Sequence, residues 1–109
     1  MDIKGKNALV TGAGQGIGEA SALMLAQNGV GKLVIVDINE TNLNRVADAI
    51  QVLGAEAIVK FCDVSEMDNV IQLFEAAEAE TGGLDIVHNN AGIMTGEPDF
   101  PDTIMEKMI

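Results

Sequence analysis

Four glycines fall within seven residues in the stretch Thr11-Gly12-Ala13-Gly14-Gln15-Gly16-Ile17-Gly18. Such a run favours neither helix nor strand, because glycine loses more backbone freedom on ordering than any other residue. What it permits is a close approach of main chain to a ligand. The stretch follows the apolar run Ala8-Leu9-Val10 and opens the helix-like segment that begins at Glu19. Unpaired N–H groups and the positive end of a helix dipole would therefore face one point. A diphosphate suits that point, since it takes several donors at once and tolerates no intervening Cβ. On the loop alone, a purely structural turn stays open as an alternative.

The spacing is not G-x-G-x-x-G, because counting from Gly12 puts the last position on Ile17 and counting from Gly14 puts it on Glu19. It fits T-G-x-x-x-G-I-G. No G-K-[ST] is present, which excludes a mononucleotide P-loop.

Other polar residues stand at the ends of further strand-like runs. Asp37 ends the second of them, where a carboxylate accepts hydrogen bonds from both ribose hydroxyls of an adenosine. A 2′-phosphate there would want a cation near Gln15 or Ile38, and neither position is basic. Asp37 would repel that phosphate, so NAD is expected over NADP, with Gly14, Gln15 and Ile38 among the cofactor contacts. Asp63 follows the third run and is either a partner for the adenine amino group or a turn residue ahead of Ser65. Asn89-Asn90-Ala91-Gly92 ends the fourth run. Small residues there let backbone approach a ribose, and asparagine amides tie neighbouring strands together.

The elements that must hold these residues alternate. Strands are expected at Ala8 to Thr11, Leu33 to Val36, Ala57 to Phe61 and Leu84 to His88. Helices are expected from Gly16 to Asn28, from about Glu40 to Val52, and from the Ser65-Glu66-Met67-Asp68 segment to Gly82-Gly83. Ser65 is the expected N-cap of the third, with an acidic residue three places on. Pro98 to Pro101 marks a break before a last helical stretch ending at Ile109. Strands apolar on both faces and joined by helices imply a parallel sheet covered on both sides. The fold class is α/β, a Rossmann-like, partial doubly wound sheet of order 3-2-1-4, with ligand at the carboxyl ends of strands one and four.

Composition bounds the rest. A chain of 109 residues is one domain at most, and it buries roughly 60 to 70% of its unfolded surface. Hydrophobic residues are 48% and charged residues 21%, which opposes disorder. No apolar run reaches the roughly 18 residues of a spanning helix. A net charge of −11 with six Lys and Arg opposes nucleic-acid binding. Met1 to Asn7 carries no signal-peptide core, and the single cysteine allows no internal disulfide. A cytoplasmic location is expected. Cys62 is expected to be a small buried side chain at a strand end, and His88 a hydrogen-bonded structural group.

Together TGAGQGIG, Asp37, Asp63-Val64 and NNAG resemble the N-terminal half of the short-chain dehydrogenases/reductases, over essentially the whole chain. The resemblance implies that Gly12, Gly16, Ile17 and Gly18 line the diphosphate and nicotinamide side of the cofactor. It further implies that Asp37 holds the adenosine ribose, Asp63 and Val64 the adenine, and Asn90, Ala91 and Gly92 the sugar region. In that family a tyrosine is the general acid/base of hydride transfer, supported by a lysine four residues later and a serine. This chain contains no tyrosine. Residues 1–109 are therefore expected to be the dinucleotide-binding half-domain of a longer oxidoreductase, truncated before the catalytic half and inactive alone, self-associating through an exposed sheet edge. Two alternatives stand beside this reading. One is a free-standing, non-catalytic nucleotide-binding module. The other is a fragment of an S-adenosylmethionine-dependent methyltransferase, which Gly12-Ala13-Gly14-Gln15-Gly16 suggests and NNAG opposes.

Overall fold

The structure, a computed structural model, describes residues 2–90. The expected final helical stretch, and the Ala91 and Gly92 positions of the fourth loop, lie outside the described residues. Strands β1 (Asn7–Thr11), β2 (Lys32–Asp37), β3 (Glu56–Phe61) and β4 (Ile86–Asn89) alternate with helices α1 (Gly16–Gln27), α2 (Glu40–Val52) and α3 (Met67–Thr81). All pairings are parallel and the order is β3-β2-β1-β4. The chain runs outward from β1 through β2 to β3, then returns to place β4 on the other side of β1. β1 and β4 stay paired to their carboxyl ends, Thr11 opposite Asn89, but helix cover changes face at that reversal, the arrangement that opens a crevice above the strand ends in doubly wound sheets.

The two-fold alternation of strand side chains sorts the core into two layers. Ala8, Val10, Leu33 and Ile35 point to one face, where they pack with Ala22 and Ala26 of α1 and Leu43, Val46 and Ile50 of α2. Leu9, Val34 and Val36 point to the other, against Val70, Leu73, Phe74 and Ala77 of α3. Each large apolar side chain buried this way contributes about 1.5–3 kcal/mol. The buried positions of α1 are Gly18, Ala22 and Ala26, spaced four apart. A stripe of such small residues lets α1 lie close to the sheet, with its N-terminus at the glycine loop.

Several boundaries differ from the sequence expectation. Each of the four strands but the last begins one residue earlier than expected, and β2 extends to include Asp37. The fourth begins at Ile86 rather than Leu84, because its approach is occupied by side-chain contacts. Asn7 Nδ2 donates to the Thr81 and Gly83 carbonyls at 3.0 and 2.9 Å. Its N–H donates to Asp85 Oδ2 at 2.8 Å, and Glu78 Oε2 accepts from Leu84 N–H at 3.1 Å. Ser65 is not the cap of α3. That position is Glu66, which makes no side-chain cap bond, because Ser65 is turned onto Asp63 instead. Asn39 caps α2, its Oδ1 accepting from Asn42 N–H at 2.9 Å.

Candidate cofactor site

The glycine loop leaves β1 at Thr11 and enters α1 at Gly16. Gly12 and Gly16 hold φ angles of 64° and 59°, a left-handed backbone that residues with a Cβ seldom adopt. Between them Ala13 is fully buried and its N–H donates to the Val36 carbonyl at 3.0 Å, which ties the loop across to β2. Gly18 lies so close under the loop that a Cβ there would overlap the Gly12 carbonyl oxygen. Asn90 Nδ2 donates to that same oxygen at 3.4 Å. One carbonyl therefore joins the start of the loop, the first turn of α1 and the end of β4.

Gln15 is the N-cap residue of α1, in extended conformation and with no side-chain cap bond. The first helical bond in the turn runs from Glu19 N–H to the Gln15 carbonyl at 3.3 Å. The N–H groups of Gly16, Ile17 and Gly18 precede that bond and have no carbonyl within the helix to reach. They form the donor set that an anionic group above the loop would meet. The Ile17 side chain, beside them, is 71% exposed.

Asp37 stands opposite. Its Oδ2 accepts from Gly14 N–H at 2.9 Å, while Oδ1 accepts from Ile38 N–H at 2.7 Å and Asn39 N–H at 3.2 Å. A Cβ on Gly14 would stand 2.7 Å from Asp37 Oδ2. Gly14 is thus a glycine for the sake of the carboxylate, and its N–H is engaged within the protein. Asp37 borders a cleft of about 190 Å3 lined also by Gly12, Val36, Ile38, Cys62, Asp63 and Val64. Ile38 leaves its apolar side chain 70% exposed.

Both readings of Asp63 find something in this geometry. Its Oδ1 accepts from Ser65 N–H at 2.9 Å and from Ser65 Oγ at 2.6 Å, which makes it a turn residue and holds its carboxyl below the ordinary value. It also lines the cleft. Burial, and then the Asp63 charge, push the Cys62 thiol up. That leaves Cys62 a poor nucleophile at neutral pH. A larger cavity of about 310 Å3 shares Cys62 and Asp63 but opens between β3 and α3, away from the glycine loop.

At β4 the expected tie between strands is present, as Thr11 Oγ1 donates to Asn89 Oδ1 at 3.1 Å. His88 is half-buried in register with Val10, set below the crevice. Sequence reasoning missed Arg45. Its guanidinium meets Glu19 at 2.9 Å through both Nη1 and Nη2, and Nη2 also donates to the Gly14 carbonyl at 3.2 Å. The signal was weak: 26 residues separate the pair, and only the packing of α1 beside α2 brings them together. No helix of the described residues is long and apolar enough to cross a membrane.

The profile of the family described as short chain dehydrogenase matches residues 6–109. Tropinone reductase-like 1 from Erythroxylum coca is 39% identical over 104 residues, covering 95% of this chain and 36% of the relative. Among solved structures, an NAD+-bound xylitol dehydrogenase superposes with a TM-score of 0.79 at 33% identity, over 94% of this chain and 40% of that one. A short chain dehydrogenase/reductase from Burkholderia phymatum in complex with NAD gives 0.75 at 38% identity, over 81% and 31%. The chain spans well under half the length of the curated relatives it matches. With the parallel sheet of order 3-2-1-4 and the matched loop, these comparisons show that the chain belongs to the short-chain dehydrogenase family, of which it carries the N-terminal, nucleotide-binding portion.

Proposed function

We propose that this chain is the NAD-binding half of an oxidoreductase that moves a hydride between NAD and an alcohol or carbonyl substrate. The observation that carries the reading is the junction of the glycine loop with Asp37: Gly14 N–H donates to its carboxylate at 2.9 Å, Gly12 and Asp37 line one cleft, and the same loop leads into the N-terminus of α1 at Gly16. The residues fit the cofactor. Donors face where a diphosphate would lie, an acceptor faces where a ribose diol would lie, and the apolar Ile17 and Ile38 are left for a ligand to cover. Solved relatives with NAD bound support the same ligand.

In this reading Gly12, Gly16, Ile17 and Gly18 bind the diphosphate through main chain. Asp37 orients the adenosine ribose while Gly14 N–H holds the carboxylate in place. Ile38, Asp63 and Val64 flank the adenine, and Gln15 borders the entrance. Asn90, with Ala91 and Gly92 after it, serves the nicotinamide-side sugar. The bound cofactor would supply the hydride acceptor, and the protein's part is to hold it in reacting geometry. NAD is preferred over NADP because a 2′-phosphate would meet the Asp37 carboxylate. The substrate-side chemistry belongs to residues outside this half, since the chain has no tyrosine.

Calorimetric titration tests the reading. The 109-residue chain is expected to bind NAD saturably and S-adenosylmethionine not at all. A folded chain that takes up neither ligand would remove the assignment.

The same reading leaves β4 with β1 on one side and no described strand on the other. Unpaired N–H and C=O groups along such an edge are a template for another strand. We propose that copies of this chain pair there. Sedimentation is expected to show a mass that rises with concentration, and a monomer at every concentration would refute the pairing.

A further inference from the structure

We propose that Glu19 and Arg45 together set the discrimination between NAD and NADP, with Glu19 holding Arg45 away from the position of a ribose 2′-phosphate. The inference rests on the dinucleotide reading above. It begins from Gly14, whose N–H donates to Asp37 Oδ2 at 2.9 Å and whose carbonyl accepts from Arg45 Nη2 at 3.2 Å. One residue thus bridges the carboxylate assigned to the ribose and a guanidinium. Arg45 and Asp37 are neighbours through it, although neither Gln15 nor Ile38 offers a cation.

Arg45 is a competent phosphate ligand by type, planar and always charged. Its side chain is 56% exposed, so it turns without disturbing the core. What occupies it is Glu19, which takes both nitrogens in a fork-to-fork pair. Glu19 is the better held of the two, with a side chain 25% exposed on the first turn of α1. The Arg45 guanidinium beside it holds its carboxyl below the ordinary value, so it stays charged at neutral pH. The cation next to the ribose site is therefore neutralised, and an incoming 2′-phosphate meets Asp37 uncompensated. Removing the Glu19 charge would leave Arg45 on the Gly14 carbonyl with its remaining donors free for that phosphate.

The test is calorimetry on the unaltered chain, on Glu19→Gln, on Glu19→Gln/Arg45→Gln, and on Glu75→Gln, an exposed acid on α3 that changes net charge equally. NADP affinity is read by competition against bound NAD. Glu19→Gln is expected to shift the NADP-to-NAD affinity ratio toward NADP by about fivefold, the scale of an exposed ion pair. The shift should shrink in added salt, and the double variant should return the ratio to that of the unaltered chain. An unmoved ratio in Glu19→Gln overturns the inference while leaving NAD binding intact. So does a gain that survives in the double variant or appears equally in Glu75→Gln, since either would trace it to net charge. An unaltered chain that binds no NAD removes the dinucleotide reading and this inference together.

Discussion

Gly18→Ala is expected to lower the stability of the chain by about 3 kcal/mol and to disorder the glycine loop. An added Cβ would overlap the Gly12 carbonyl oxygen, and would stand 2.7 Å from the Gly12 carbonyl carbon and 2.9 Å from Asn90 Nδ2. The first two are backbone, held by β1 on one side and by a left-handed φ at Gly12 on the other. They have nowhere to move unless α1 shifts off the sheet. That shift would uncover Ala22 and Ala26, which pack against the face formed by Val10 and Ile35. Urea unfolding measures the effect. Gly14→Ala is the comparison, because its Cβ would press on the end of the Asp37 side chain at 2.7 Å, which swings away at lower cost. A Gly18→Ala midpoint equal to that of Gly14→Ala would show that the close approach of α1 to the loop is not real.

The second large effect is expected at Asp37. Asp37→Ala should weaken NAD binding by at least about tenfold, the scale of losing hydrogen bonds to a charged acceptor. Two losses combine. The ribose diol loses its acceptor, and the N–H groups of Gly14, Ile38 and Asn39, now held at 2.7–3.2 Å, lose theirs. The second loss loosens the loop that carries the diphosphate donors, so the damage extends beyond the ribose. Asp37→Asn separates the two. It keeps an oxygen for one side of the network and removes the charge, so NAD binding should fall less than in Asp37→Ala. Asp37→Arg should reverse the preference toward NADP, because a guanidinium then faces the 2′-phosphate. NAD and NADP titrations of the three variants check this, and an unchanged preference in Asp37→Arg would take the ribose role away from this residue.

These two positions were legible in the sequence for different reasons. Gly18 belongs to a run whose residue types report a backbone demand, and a demand of that kind is local. Asp37 was legible as the last residue of an apolar strand, since a charge at that point must sit at the carboxyl end of the sheet where solvent or ligand meets it. The order of elements, the parallel sheet and its reversal between β1 and β4 followed from alternating periodicities and from the chirality of crossovers, which depend little on side-chain detail. The strand order observed is the one expected.

Other features were beyond reach of the linear pattern. That Gly14 serves the Asp37 carboxylate depends on two residues 23 apart meeting across the sheet's end. Ser65 looked like a cap because it stands before a helix with an acid three places on, yet a closer acceptor, Asp63 Oδ1 at 2.6 Å, takes its hydroxyl. Asn7 sets where β4 begins through carbonyls more than 70 residues away. The bond between Arg45 and Glu19 exists because α1 and α2 cover the same face of the sheet. Residue type and periodicity determine which elements form and which face they bury, because those preferences act over a few residues. Which polar groups find each other across elements is decided only when the hydrophobic layers bring them within hydrogen-bond distance, and that geometry is the part the tertiary structure supplied.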